Sequence, residues 1–236
     1  MTQKAYSPTI LETLARGTAP LLMSRSYRGL LMTEPVQLLS HCAEEAHIQG
    51  PRVRVCARPG DQVFLHGESQ EDAVSGKVLK IDILRCQMIL GELSLTGQPW
   101  VERGHDRVCA RQAVRVVLHC GGATLPGFLE NLSIAGAGLL IYKPREHGML
   151  LEVGQPGRID FELPYGRIRL SMSGRVANLG FPSPHVACLG LHTFPTLDQT
   201  RHIDRFITRR KDEIIQEFER TTAEVFEPHS VMRQYF

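Results

Sequence analysis

Apolar and polar residues alternate with a period of two along Arg158-Ile159-Asp160-Phe161-Glu162-Leu163, and again along Arg167-Ile168-Arg169-Leu170-Ser171-Met172-Ser173. Successive side chains of a strand point to opposite faces, so this period turns one face to a core and the other to water. Turn residues stop each run, Gln155-Pro156-Gly157 before the first and Pro164-Tyr165-Gly166 between the two. The same punctuation begins at Pro51. Arg52-Val53-Arg54-Val55-Cys56 alternates, Pro59-Gly60-Asp61 turns, and residues 62–67, 73–83 and 86–95 read as further strands, closed by Gly97-Gln98-Pro99-Trp100. Many short strands with tight turns suit small closed sheets rather than a layered α/β fold.

The expected fold is mainly β, with two small barrels in tandem and a long C-terminal helix. Residues 1–102 form an N-terminal barrel domain with a short leading helix at residues 8–16, Ser7 as its N-cap and Pro8 at its first position. Pro20-Leu21-Leu22-Met23 reads as a docking segment and Gly29-Leu30-Leu31-Met32 as an early strand, while residues 36–48 fit a helix or a strand with a loop equally well. Residues 103–236 form the second domain, with a basic arm (103–115), a barrel (114–195) and a helix (196–226). Residues 102–110 are polar, contain Gly104 and read as a mobile connection that runs into the arm. An internal echo joins the two halves. Ser75-Gly76-Lys77-Val78 leads to Leu90-Gly91, and Ser173-Gly174-Arg175-Val176 leads to Leu189-Gly190.

Thr196 and Gln199 make a capping-box pattern at the start of the helix. Ile203, Phe206, Ile207, Ile214, Ile215, Phe218, Val225 and Phe226 recur near helical spacing. The early part suits its own barrel. The stripe from Lys211 onward needs another surface, which is the first barrel, a second copy of the chain in a homodimer, or another protein.

The chemistry concentrates in the arm and the strands after it. Arg103, Arg107, Arg111 and Arg115 stand four residues apart, and Arg115 leads directly into Val116-Val117-Leu118. Gly121-Gly122 turns the chain back, and Gly138-Leu139-Leu140-Ile141-Tyr142 starts the strand after Asn131-Leu132-Ser133-Ile134-Ala135-Gly136. A guanidinium is planar and always charged, so it grips phosphate in two parallel bonds or lies flat on a base. With an Asn that both donates and accepts, such groups suit an anionic planar ligand such as a guanine nucleotide.

Arg111-x-x-x-Arg115 followed by Asn131-x-Ser133-x-x-Gly136 resembles the paired R-x-x-x-R and [D/N]-x-S-x-x-G signature of the PilZ domain family. The last strand, Cys188-Leu189-Gly190-Leu191-His192-Thr193-Phe194, and the following helix are similar to the family's C-terminal end, so the resemblance covers residues 107–208. The order of domains also resembles the flagellar brake (YcgR-type) architecture. The resemblance implies a six-stranded barrel that binds the bacterial second messenger cyclic di-GMP, with Arg111, Arg115, Asn131, Ser133 and Gly136 as its contacts and Arg107 and Gly138 as additional ones. Three overlapping arginine registers are open. Arg111 and Arg115 are chosen because in the family the second arginine enters the first strand. The partners implied are cyclic di-GMP and a protein target in flagellar, secretion or polysaccharide machinery. The alternative is a PilZ-fold adaptor that binds no nucleotide and acts through protein contacts.

Other readings are weaker. The net charge is +2, so no global field points to DNA. No apolar run approaches the roughly 20 residues of a membrane span, and the N-terminus has no signal-peptide core. Six cysteines without a C-x-x-C read as buried or half-buried thiols in a reducing cytoplasm. His41, Glu44, Glu45 and His47 invite a metal, but the histidines stand six apart where a helical pair needs four. No nucleophile context, P-loop or dinucleotide fingerprint occurs, so neither an enzyme, a cofactor nor a metal site is expected.

Overall fold

The computed structural model describes residues 8–16, 20–50, 52, 57–68, 72–97, 104–142 and 151–226. Ser7 as a cap, the strand expected over residues 53–56, the closing segment 98–100 and Arg103 at the head of the arm lie outside these residues.

The chain divides into two compact units. One comprises Met1–Tyr27, Leu31–Gly104 and Gln216–Phe236, and the other Arg28–Leu30 and His105–Ile215. In the first unit, helix α1 (Pro8–Arg16) precedes strands β1 (Leu21–Tyr27), β2 (Leu30–His41), β3 (Ala46–Gln49), β4 (Gln62–His66), β5 (Asp72–Asp82) and β6 (Gln87–Gly97). They close as β1-β2-β3-β6-β5-β4. Met23, Ile48, Val63, Leu65, Met88 and Leu90 fill the barrel, joined by Leu11 and Leu14 from α1. Phe218 belongs to this same core, and its ring meets Tyr27 edge-on at 5.6 Å.

One sequence reading changes here and an open one is settled. The segment expected to dock, Pro20 to Met23, supplies β1, with Leu21 and Met23 turned inward. Residues 36–48 are strand and turn rather than helix, because β2 runs to His41 and β3 pairs with both β2 and β6. Tertiary pairing decides between periodicities that a short stretch satisfies equally.

The second unit contains β7 (Val114–Cys120), β8 (Ala123–Ser133), β9 (Gly136–Tyr142), β10 (Pro156–Leu163), β11 (Ile168–Ser183) and β12 (Val186–Thr193), closed as β10-β11-β12-β9-β8-β7. Counted within each unit, both barrels have the strand order 1-2-3-6-5-4. The echoed Ser-Gly-basic-Val segments fall on the fifth strand of each, β5 and β11, and the echoed Leu-Gly pairs on the sixth, β6 and β12. The internal echo is therefore topological as well as sequential.

Helix α2 (Leu197–Phe226) opens with the capping box that the sequence spells. Thr196 N–H donates to Gln199 Oε1 at 2.9 Å, and Gln199 N–H to Thr196 Oγ1 at 3.3 Å. Ile203, Phe206 and Ile207 are buried in the second unit, as amphipathic spacing requires.

Candidate functional site

Strand β7 alternates as expected. Val114, Val116, Leu118 and Cys120 are buried, and Arg115 points to solvent opposite Phe128 of β8. Arg111 lies at a bend just before the strand, and Arg107 further up the arm; both are exposed.

The arm carries no regular strand or helix between residues 104 and 107, as a connection should, but it is anchored from Asp106 onward. Val108 is fully buried and forms an isolated bridge with Leu132, exchanging backbone hydrogen bonds of 3.0 and 2.9 Å. Cys109 N–H donates to the Arg28 carbonyl at 2.7 Å. The Cys109 carbonyl accepts from Arg210 Nε of α2 at 2.9 Å, and Lys211 of α2 pairs with Asp106. Burial and the nearby Glu130 charge push the Cys109 thiol upward, against Arg210 and Arg28. Within the expected connection, Asp106, Val108 and Cys109 are thus anchored. Sequence reasoning missed this because its polar composition is that of a linker, whereas the anchoring uses main-chain groups that composition does not reveal.

Leu132 sits between Asn131 and Ser133, so the bridge brings the arginine arm beside the polar turn. Ser133 is buried and its Oγ donates to the Gly136 carbonyl at 3.1 Å, closing the turn through Ile134 and Ala135. A Cβ on Gly136 would stand 2.8 Å from the Leu191 carbonyl, so close approach of β12 demands the glycine there. Asn131 follows a β-bulge on β8 and pairs with Gly138. Its carboxamide lies over that glycine, where an added Cβ would meet Nδ2 at 2.6 Å.

The second unit also holds a polar cluster that the sequence did not announce. Arg210 is fully buried and its Nη1 donates to Glu213 Oε2 at 3.1 Å. Tyr165 O–H donates to the same carboxylate at 2.5–2.6 Å, and the Arg209 guanidinium lies 4.0 Å from the Tyr165 ring centre. Burial raises the Glu213 pKa, but the hydrogen bonds from Tyr165 and Arg210 and the Arg210 charge outweigh it, and the net shift is downward. In the sequence these residues stand in an Arg209-Arg210-Lys211 run, whose composition is that of a solvated face.

A cleft of about 500 Å³ lined by residues including Arg158, Asp160, Phe161, Arg169 and Ser171 lies on the β10–β11 hairpin and contains none of the arm or turn residues. Among the described residues no group of three or more His, Cys, Asp or Glu could hold a metal ion. No helix there is long and apolar enough to cross a membrane.

Residues 102–209 match the family model described as PilZ domain. Among solved structures, the chain is similar to MrkH from K. pneumonia in its c-di-GMP complex, with 16% identity over 93% of this chain and 99% of that one and a TM-score of 0.45. It is similar to YcgR from Escherichia coli in complex with c-di-GMP, with 16% identity over 90% and 92% and a TM-score of 0.44. It is also similar to the Bacillus subtilis inhibitor of motility MotI/DgrA, with 12% identity over 85% and 98% and a TM-score of 0.41. Comparison with curated proteins found no match.

Proposed function

We propose that the PilZ domain over residues 102–209 is a receptor for cyclic di-GMP, with the arginine arm and the Asn131–Gly136 turn as its two jaws. The observation that carries this reading is the Val108–Leu132 bridge, which seats the arm against the strand that presents Asn131 and Ser133. Arg111 and Arg115 are both exposed and grip the ligand phosphates or stack on its guanines, with Arg107 as a third cation. Asn131 reads a guanine edge. Ser133 and Gly136 shape the turn, and Gly138 gives Asn131 its place.

The arm is also tied to α2, through Arg210 to Cys109 and through Lys211 to Asp106. A ligand that engages the arm therefore shifts the balance of states that α2 and its partners respond to, and so regulates motility, biofilm or surface-polysaccharide output.

Calorimetric titration of the full chain with cyclic di-GMP tests the reading, beside Arg111→Ala, Arg115→Ala and Arg107→Ala. A charge-assisted hydrogen bond contributes roughly 1.5–3 kcal/mol, so loss of one jaw arginine should weaken binding about ten- to a hundredfold. Loss in the first two variants and retention in the third also fixes the arginine register. No heat and no thermal shift from the wild type at high ligand would sink the receptor reading and leave the adaptor that acts through protein contacts.

A further inference from the structure

Asn178 occupies on β11 the place that Asn131 occupies on β8. Both asparagines follow a register slip, between Leu129 and Asn131 on β8 and between Val176 and Asn178 on β11. Bulges re-aim the side chains beside them. Asn131 pairs with Gly138 of β9, Asn178 pairs with Gly190 of β12, and the two glycines pair with each other. The four residues form one row across four adjacent strands and share a face.

That face is the outer wall, because Leu139, Leu189 and Leu191 beside the glycines are buried in the barrel. The two glycine Cα atoms, directly opposed in an antiparallel pair, stand about 4.5–5.5 Å apart, and neither has a side chain to separate the carboxamides. Asn178 covers its glycine as Asn131 does, since a Cβ on Gly190 would meet Asn178 Nδ2 at 2.7 Å.

Two further observations mark Asn178 as more than packing. Its Oδ1 accepts the Gly190 N–H at 2.8 Å, which fixes the amide's orientation and turns Nδ2 into a donor for a ligand. The first barrel provides an internal comparison. Its echoed glycine, Gly91, is covered by Leu79, whose Cδ1 would stand 2.6 Å from an added Cβ. The barrel without the arginine arm covers this glycine with an apolar side chain, and the barrel with the arm covers it with a carboxamide.

We infer that Asn178 is a second base-reading residue of the site, donating from Nδ2 to the acceptor edge of a guanine and discriminating it from adenine. The inference rests on the receptor reading proposed above. Guanine presents O6 and N7 as acceptors, whereas adenine places its N6 amine, a donor, where O6 would be. A fixed donor set against O6 therefore favours guanine and opposes adenine, whereas N7 accepts in both bases.

The test is the affinity of the full chain for cyclic di-GMP and for cyclic di-AMP, in wild type, Asn178→Ala, Gly190→Ala and a remote control, Arg169→Ala. Asn178→Ala should weaken cyclic di-GMP binding about three- to tenfold, the worth of one neutral hydrogen bond, and narrow the preference over cyclic di-AMP by the same factor. Gly190→Ala keeps Asn178 in the chain but takes its amide's place, since the three atoms nearest the new methyl all belong to the Asn178 carboxamide. It should reproduce the loss, which also keeps the test decisive if Asn178→Ala is poorly folded. Wild-type binding with unchanged affinity and unchanged preference in both variants overturns this inference alone. No binding by the wild type overturns the receptor reading and this inference with it.

Discussion

Arg210 Nε donates to the Cys109 carbonyl at 2.9 Å from a side chain that has no exposed surface. Cys109 precedes Arg111 by two residues, so a buried cation on α2 holds the root of the arginine arm. The same guanidinium binds Glu213, which in turn receives the Tyr165 hydroxyl. A planar fork with donors on two sides is needed to reach the carbonyl and the carboxylate together.

Arg210→Ala would take from Glu213 its buried cation, leaving it the more exposed Arg209 at 3.5 Å, and would take that donor from the Cys109 carbonyl. Breaking a buried ion pair costs about 3–5 kcal/mol, and partial exposure of Glu213 places this case near the lower end. Arg210→Lys should recover little of it, because an ammonium cannot bond at both places. Chemical denaturation measures the loss. Cyclic di-GMP affinity should fall along with it, and an unchanged midpoint would refute the structural role.

The Tyr165–Glu213 pair should make stability pH-dependent at both ends. Glu213 has a folded pKa below its ordinary 4.5, despite burial that works the other way. Its contribution is present above the unfolded pKa and is lost as pH falls through the folded one. Burial, then the hydrogen bond to Glu213, raise Tyr165 above 10.0, so its contribution is present below pH 10 and is lost at higher pH. Thermal midpoints against pH should show a shallower acid limb in Glu213→Gln and a shallower alkaline limb in Tyr165→Phe. Asp160 is also shifted down, so Glu213→Gln removes only part of the acid limb.

Gly136 and Gly138 should respond in opposite ways to the same methyl group. At Gly136 the methyl meets the Leu191 carbonyl at 2.8 Å, a backbone atom that cannot step aside. Gly136→Ala should cost about 1–3 kcal/mol in stability, as overpacking does. At Gly138 the three nearest atoms all belong to the Asn131 carboxamide, the end of a side chain that can swing away. Gly138→Ala should keep the melting temperature near wild type and lower cyclic di-GMP affinity about tenfold, if Asn131 contributes about 1.4 kcal/mol. Melting curves read beside titrations separate the two outcomes.

The first unit carries its own acid-sensitive group. His66 is buried, with Nδ1 at 3.0 Å from the Gly67 carbonyl and Nε2 at 2.8 Å from Ser24 Oγ. Burial lowers its pKa below 6.5, against the pull of the Gly67 carbonyl. A histidine kept neutral in the fold stabilises it above the unfolded pKa, and that contribution is lost as pH falls through the folded pKa. The wild-type melting temperature should therefore drop from about pH 6.5 downward, and His66→Asn should flatten that part of the curve.

What was legible in the sequence was local. Alternation along residues 158–163 and 167–173 fixed strands β10 and β11 and their inward faces, because the period of two is a property of the strand alone. Thr196 and Gln199 specified the start of α2 for the same reason, since both partners of the capping box lie within one turn. Arg115, Asn131, Ser133 and Gly136 could be chosen as candidates by residue chemistry together with their resemblance to the PilZ signature. Tertiary structure decided everything that depends on a distant partner. It made Pro20 to Met23 part of a strand, bridged Val108 to Leu132, and drew Arg210 out of a charged run into a dry contact with Cys109. It also set Asn178 opposite Asn131 in one row, although 47 residues separate them in the chain. Periodicity and capping are short-range and survive in the sequence. Register, bulges and the burial of a charge exist only once strands from far apart have paired.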